Sequence, residues 1–138
     1  MIQPQRIVID TNVLVSAALS AASIPRQAFR RARTNAKPLA SVATLIELQE
    51  VLRRPKFKRA GTPELREAFF LEYARHCELI SVHSTIRACR HPKDDKFLEL
   101  ALDGRANLIL TGDNDLLALH PFRGIPILSP AQYLELPA

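Results

Sequence analysis

Cysteine is scarce in this chain of 138 residues. Cys77 and Cys89 lie twelve positions apart and form no C-x-x-C pair. This usage favours free thiols in a reducing compartment over a disulfide or a zinc site. The histidines also lack the spacing of metal ligands.

Long hydrophobic runs are absent as well. No apolar stretch approaches the ~18–20 residues of a membrane span. The segment Met1-Ile2-Gln3-Pro4 is too short and too polar for a signal peptide. The chain has no internal repeat and no low-complexity stretch. These absences predict a cytoplasmic protein that forms one domain over residues 1–138 and has no membrane partner.

Acidic residues are fewer than basic ones. The chain has 14 Asp and Glu against 19 Lys and Arg, which gives a formal net charge of +5. A hydrophobic share of 47% and a charged share of 24% are typical of a globular protein. The positive balance mildly favours an anionic partner, although many basic proteins never bind nucleic acid.

The first apolar run leads directly into polar residues. Ile7-Val8-Ile9 is followed by Asp10, Thr11 and Asn12. A short continuous apolar run predicts a strand buried on both faces of a parallel sheet. Ligands bind beyond the carboxyl ends of such strands, so Asp10 lies where a site is expected. The simpler alternative is that Asp10 or Asn12 caps the helix that follows.

A second run has the same form. Leu108-Ile109-Leu110 leads into Thr111-Gly112-Asp113-Asn114-Asp115. Predicted strands alternate with predicted helices along the whole chain. This order predicts an α/β protein, a three-layer α/β/α sandwich with a mainly parallel sheet of four to five strands.

Capping signals mark the intervening helices. One helix is expected from Ser41 or Thr44, with an apolar face formed by Leu45, Ile46, Leu48, Val51 and Leu52. In this helix Thr44-Leu45-Ile46-Glu47 fits a capping box, which would give Glu47 a purely structural role. Thr62-Pro63-Glu64 is a strong helix start.

The second half of the chain gives weaker signals. Leu79–Val82 is expected to form a strand, and Ile125–Leu128 an edge strand because it contains a proline. Gly104 is expected to be the left-handed cap of the helix that begins near Asp94.

Several acids should converge at the carboxyl edge of this sheet. Asp10 and Asp113 follow the two most apolar strands, while Glu47, Asp94 and Asp95 lie early in helices that reach the same edge. Clustered carboxylates repel one another unless a cation neutralises them. Because the candidate ligands are all oxygens, Mg²⁺ or Mn²⁺ is the expected cation. The side chains of Asn12 and Thr111 could orient a water molecule or a metal-binding carboxylate without binding the cation themselves.

Two basic segments offer contacts for a polyanion. For the first, Arg26–Lys37, a solvated helix face is the preferred interpretation over an RNA-contacting one. The second, Arg53–Arg59, fits either a phosphate-gripping loop with a stacking Phe57 or a solvated turn anchored by that ring. Its candidate RNA-binding residues are Arg53, Arg54, Lys56 and Lys58.

These motifs together resemble the PIN-domain nucleases. The resemblance rests on D-T-N after the first strand, a mid-chain helical glutamate, D-D-K-F-L-E-L-A and L-I-L-T-G-D-N-D-L-L, and it covers essentially the whole chain. It is strongest to the branch of toxins of toxin–antitoxin pairs, akin to VapC. The resemblance implies an endoribonuclease that uses Mg²⁺ or Mn²⁺ and cuts RNA. It also implies a small antitoxin partner and frequent homodimers.

Site residues are carried over by position. Asp10, Glu47, Asp94 and Asp113 match the acidic quartet of the family, with Asn12 and Thr111 as polar companions and Asp95 and Asp115 as auxiliary candidates. Asp94 is preferred to Asp95 because of its spacing to Leu98 and Ala101. His91 is a departure, since relatives often have an acid there. It could weaken metal binding or make it pH-sensitive, but the preferred interpretation is that it lies outside the metal ligands and changes little.

Two other functions stay open. One is an inactive PIN scaffold that binds RNA or a protein without cutting, although every quartet position is retained. The other is a phosphohydrolase with Asp10 as nucleophile. Such sites usually have a second aspartate two residues later, where this chain has Asn12.

Overall fold

A parallel sheet forms the centre of the protein. The computed structural model describes residues 5–20 and 22–137, without the side chains of residues 58–60. Within those residues five strands pair in the order β3-β2-β1-β4-β5, and all neighbours are parallel. They are β1 (Gln5–Ile9), β2 (Ala36–Ala40), β3 (Glu78–Leu79), β4 (Leu108–Leu110) and β5 (Ile127–Leu128).

Helices connect these strands. They are α1 (Thr11–Leu19), α2 (Ile24–Asn35), α3 (Val42–Leu52), α4 (Pro63–His76), α5 (Asp95–Asp103), α6 (Asn114–Leu117) and α7 (Pro130–Leu134). Short 3₁₀ helices cover Pro55–Ala60 and Pro92–Asp94. Thr62 caps α4, as predicted, because its side chain accepts a hydrogen bond from the amide of Leu65.

Helices pack on both faces of the sheet. Ile7 and Ile9 of β1 point into a core shared with α1, α2, α3, α4 and α7. Val8 of the same strand points the other way, into a core formed with α5 and α6. The alternation follows from the two-residue period of a strand. The predicted three-layer α/β/α sandwich is therefore confirmed.

The order in which the chain adds strands to the sheet changes direction at β1. From β1 it proceeds to β2 and β3 on one side, and then crosses back to β4 and β5 on the other. The boundary between β1 and β4 is therefore the switch point of the sheet. In sheets of this kind a crevice opens there, beyond the carboxyl ends of the strands.

The capping box of α3 differs from the predicted one. Ser41 is the N-cap, and its box partner is Thr44, whose side chain accepts from the Ser41 amide. The prediction that Thr44 and Glu47 form the box is wrong because the helix begins three residues earlier. Glu47 then lies one turn beyond the cap, where its carboxylate is available for other contacts. Ile46, which was expected on the apolar face of this helix, is 52% exposed.

Gly104 is not a left-handed cap. Its φ is −85°, and the positive φ of 54° falls on Arg105 instead. A Cβ at position 104 would lie 2.8 Å from the carbonyl oxygen of Leu100 and 2.8 Å from Leu39 Cδ1. Glycine is therefore needed here for close packing against β2 and not for its backbone freedom.

Strand lengths at the edges also differ from prediction. Only Glu78–Leu79 pairs as β3, although Leu79–Val82 was expected to do so, and residues 80–88 continue without regular structure. The strand expected at Ile125–Leu128 is shortened to β5, which excludes Pro126 and lies at the other edge of the sheet, as predicted. Among the described residues, no helix is long and apolar enough to cross a membrane. Cys77 and Cys89 are free thiols.

Candidate metal-dependent active site

Asp10 lies at the centre of the sheet's carboxyl edge. It follows β1, caps α1, and is only 4% exposed. Its Oδ1 accepts from the amide of Asn12 at 3.4 Å, and its Oδ2 accepts from the hydroxyl of Thr111 at 2.7 Å. The helix-cap interpretation and the site interpretation are therefore both compatible with this residue.

Thr111 joins the two central strands. It is fully buried at the end of β4, where its Oγ1 donates to Asp10 and accepts from the amide of Asp113 at 3.0 Å. Asp113 caps α6 by accepting from the amide of Asp115 at 2.8 Å. A continuous hydrogen-bonded chain thus runs from Asp113 through Thr111 to Asp10 and fixes the position of both acids.

Glu47 reaches the same edge from α3. Its Oε2 accepts from the hydroxyl of Thr11, and its Oε1 lies 2.9 Å from the ammonium nitrogen of Lys96. The carboxylate is about one-fifth exposed. Neither Thr11 nor Lys96 was predicted to have a role in the site. Their polar character next to predicted acids was the only available signal.

Asp94 and Asp95 have different surroundings despite their adjacency. Asp94 lines the cleft, whereas Asp95 is buried and accepts from the amides of Ala88 and Cys89 at 3.1 and 2.7 Å. Asp95 therefore anchors the segment that leads into α5. The structure thus brings Asp94 and not Asp95 into the cleft, and the preference for Asp94 as the site residue stays a prediction.

The four quartet acids line one cleft of about 180 Å³. Its walls consist of Asp10, Thr11, Asn12, Glu47, Val51, Arg54, His91, Lys93, Asp94 and Asp113. Asp115 lies just outside, with its Oδ2 3.6 Å from His91 Nε2. The predicted quartet and Asn12 are thus brought together, Thr111 supports them from behind, and Asp95 is turned away.

Burial and mutual repulsion shape the charges in this cleft. Burial raises the pKa of Asp10 to about 6, with smaller contributions from Asp94 and Glu47, and the hydrogen bonds from Thr111 and Asn12 only partly offset this. Burial also raises the pKa of Asp94, aided by the charge of Asp113. Asp10 and Asp94 therefore bind protons more readily than exposed carboxylates do.

The donor set fits a hard divalent cation in its chemistry. The acids that line the cleft offer only oxygen atoms, the ligands that Mg²⁺ and Mn²⁺ prefer. However, no three His, Cys, Asp or Glu side chains in the described part of the chain stand close enough to hold an ion as they are. Binding would therefore require the side chains to draw together.

The basic loop divides into residues with different surroundings. Arg54 lines the acidic cleft, whereas Arg53 lies 3.7 Å from Glu67 Oε2. Lys56 is exposed, and Phe57 packs against the core, which supports the solvated turn anchored by that ring. The side chain of Lys58 lies outside the described residues. Buried Arg66, which the sequence analysis missed, secures the loop by donating to the carbonyls of Leu52, Arg54 and Gly61.

The first basic segment forms the outer face of α2. Ala28, Phe29 and Ala32 are buried on its inner face, while Arg30 and Arg33 are exposed. Arg31 donates to the carbonyls of Tyr133, Leu134 and Pro137, which attaches α2 to the C-terminal helix. Part of this positive charge therefore has a structural role.

The protein is therefore of the α/β class, with a parallel sheet flanked by helices and an acid-lined cleft at the switch point of that sheet. Residues 6–115 match the PIN domain family, and the chain belongs to that family. Members are generally nucleases, which hydrolyse phosphodiester bonds, and generally use divalent metal ions.

Two further comparisons found similar proteins. The chain is 29% identical over 119 residues to the uncharacterized protein MJ1680 of Methanocaldococcus jannaschii, covering 83% of this chain and 74% of that protein. It is similar in fold to a chain in the crystal structure of VapBC2 from Rickettsia felis bound to a DNA fragment from their promoter. That match has a TM-score of 0.62 and 13% identity, and covers 90% of this chain and 98% of the other. At this identity the likeness concerns the fold alone.

Proposed function

We propose that this protein is an endoribonuclease that depends on Mg²⁺ or Mn²⁺ and hydrolyses phosphodiester bonds in single-stranded or structured RNA. The observation that carries the proposal is the convergence of Asp10, Glu47, Asp94 and Asp113 on one cleft at the switch point. Four carboxylates in one cleft, two of them with raised pKa values, are suited to binding a cation.

Each group in the cleft has a role in this proposal. The four quartet acids would hold the cation. When bound, the cation supplies an activated water and stabilises the charge that develops on the phosphate. Thr111 keeps Asp10 oriented through its hydrogen bond. Asn12 is exposed at the cleft wall, where its amide is available to a ligand or a water molecule.

The rim of the cleft suits a polyanionic substrate. Arg54, Lys93 and His91 line the same cavity as the acids. Arg54 and Lys93 would attract the phosphate backbone and compensate the repulsion between that backbone and the carboxylates. Because the cavity is small, a flexible single strand or an unpaired loop should enter it more easily than a rigid duplex.

We further propose that the protein is the toxin of a type II toxin–antitoxin pair in the cytoplasm. Membership of the PIN family and the likeness in fold to a chain of the VapBC2 structure support this role. A small antitoxin would then block the cleft, and two copies of the chain could pair as a homodimer. Induced expression in growing bacteria should arrest growth, while the Asp10→Asn variant should not. Normal growth under both would contradict the toxin role.

A catalytically inactive PIN scaffold that binds RNA or a protein is the second candidate. It is favoured by one observation, the engagement of both carboxylate oxygens of Glu47 by Thr11 and Lys96. It is disfavoured by the presence of all four acids in the cleft. Metal-dependent cleavage decides between the two.

The test is cleavage of an end-labelled single-stranded RNA with Mg²⁺, Mn²⁺ or EDTA. The intact protein should cut with either ion and not with EDTA, and Asp10→Asn prepared identically should not cut. Glu50→Gln is the matched control because Glu50 is an exposed acid on α3, outside the cleft. Equal cleavage by the intact protein and Asp10→Asn would reject the assigned site. No cleavage with either ion, together with no Mn²⁺ binding, would favour the scaffold.

A further inference from the structure

The side chain of Glu47 already has a cationic partner. One carboxylate oxygen accepts from Thr11, and the other lies 2.9 Å from Lys96 Nζ. Both oxygens that would serve a metal ion are therefore engaged by the protein itself. Lys96 lies in the first turn of α5, two residues after Asp94.

This ion pair is better shielded from water than the other lysine or arginine pairs in the described part of the chain. The side chains of Lys96 and Glu47 are 21% and 22% exposed. The members of the other such pairs are between 32% and 73% exposed. Shielding strengthens the attraction between the two charges, and it makes loss of one partner costly because the other is left partly buried and unpaired.

The charge of Lys96 acts on a second acid of the cleft, Asp94, as well as on Glu47. Among the cations whose contacts are described, Lys96 is the one paired with a quartet acid. It also lowers the pKa of Asp94 through its charge, although less than Lys93 does. Lys96 thus supplies positive charge to the same group of acids that would hold a metal ion.

We infer that Lys96 is the resident counter-cation of Glu47 in the metal-free protein and competes with the divalent ion for that carboxylate. The inference rests on the proposed metal site. An ion that takes Glu47 as a ligand must displace the ammonium group or share the carboxylate with it. Lys96 therefore stabilises the metal-free state more than the metal-bound state, and by linkage it weakens metal binding.

Titration of Mn²⁺ by calorimetry tests this without measuring cleavage. Lys96→Met removes the charge and keeps a long side chain, and Lys96→Arg keeps the charge. Lys93→Met is the matched control, since Lys93 also lines the cleft but is exposed and does not contact Glu47. Lys96→Met should lower the Kd for Mn²⁺ about tenfold, Lys96→Arg should leave it near that of the intact protein, and Lys93→Met should lower it by no more than about threefold because its charge is screened by solvent.

Two further measurements make the result specific. In EDTA the Lys96→Met variant should melt at a lower temperature than the intact protein, and saturating Mn²⁺ should reduce that difference. In a Glu47→Gln background, Lys96→Met should change the Kd no more than Lys93→Met does. If Lys96→Met does not fold, Lys96→Gln removes the charge while retaining a hydrogen-bonding group.

The outcomes separate this inference from the proposed function. If the intact protein and Lys96→Met bind Mn²⁺ equally, or the variant binds more weakly, the competition is refuted and the metal site stands. If neither binds, both proposals are refuted. If only Lys96→Met binds, the inference is supported directly, because removing the resident cation has opened the site.

Discussion

Asp10 and Asp94 in the cleft have raised pKa values, whereas Asp95 and Asp103 outside it have lowered ones. Inside the cleft, burial raises the pKa of Asp10 to about 6 and also raises the pKa of Asp94. Outside, the pKa of Asp103 is lowered by the hydroxyl and amide of Ser84 and the amide of His83. Asp95 is buried, which raises its pKa, but the amides of Cys89 and Ala88 outweigh this and lower it.

The difference lies in what each acid receives from its neighbours. Asp95 and Asp103 each receive at least two backbone amides, which satisfy the charge and fix local structure. Asp10 also accepts from an amide and a hydroxyl, but burial and the nearby charges of Asp94 and Glu47 outweigh these bonds. The fold therefore holds Asp10 and Asp94 in surroundings that disfavour their charged forms, and a cation bound beside them would relieve that cost.

The largest predicted effect separates the adjacent acids Asp94 and Asp95. Asp94→Ala should reduce cleavage by more than about 100-fold, since even outer partners of metal ligands contribute 10- to 100-fold. Its free energy of unfolding should change little. Asp95→Ala should instead lower the free energy of unfolding by about 1–3 kcal/mol, because two amides lose their acceptor.

Initial cleavage rates and urea denaturation of both variants measure this contrast. Cleavage by Asp95→Ala should stay within a few-fold of the intact protein at temperatures where it is folded. Loss of cleavage in a stable Asp95→Ala variant, with activity retained in Asp94→Ala, would reverse the assignment of the two acids.

The next effect is the pH dependence of stability that Asp10 confers. The folded protein holds the pKa of Asp10 at about 6, above its ordinary value of 3.8, so the folded state binds the proton more tightly than the unfolded state. Stability is then lost as pH rises from about 3.8 to 6, and the full cost is present at neutral pH. For a shift of this size the cost is up to about 3 kcal/mol.

Asp10→Asn removes this titration. In EDTA, the free energy of unfolding of the variant minus that of the intact protein should rise between pH 4 and pH 7. Urea denaturation across this range gives both values. A difference that stays constant with pH would mean that the carboxyl of Asp10 is solvated like an ordinary surface acid, and would remove the contrast with Asp103.

Local sequence patterns were sufficient to predict the strands that position the site. Ile7–Ile9 and Leu108–Leu110 are apolar on both faces because they are the two central strands, and this alone placed Asp10 and Asp113 at one edge. The cap Thr62 was predicted because its bond joins residues three apart. Such signals are contained within a few consecutive residues.

Contacts between residues that are far apart in the sequence could not be predicted from these local patterns. The Lys96–Glu47 pair joins residues 49 positions apart, and Arg66 bonds to carbonyls of another segment. Gly104 is required by its contact with Leu39, which no local rule reveals. The role of Glu47 was ambiguous for a related reason. The residues around it fit a capping box, and only the position at which α3 begins shows that Glu47 is not part of one.

The smallest predicted effect extends the comparison to the basic residues. Arg54 lines the acidic cleft, whereas Arg53 is near Glu67, outside it. If RNA enters the cleft, Arg54→Ala should weaken RNA binding a few-fold and reduce the slope of log K against log salt by about 0.7, the value for one phosphate contact on a single strand. Arg53→Ala should change both quantities less, because its charge is already paired.

Fluorescence anisotropy with labelled single-stranded RNA, in the Asp10→Asn background to prevent cleavage, gives affinity and salt slope together. Arg53→Ala is the matched control because it removes the same charge from the neighbouring position. Equal effects of the two substitutions would show that RNA responds to the loop's overall charge, and no effect of either would mean that the loop is only a solvated turn. A selective effect of Arg54 would place the phosphate backbone directly beside the four acids, where hydrolysis requires it.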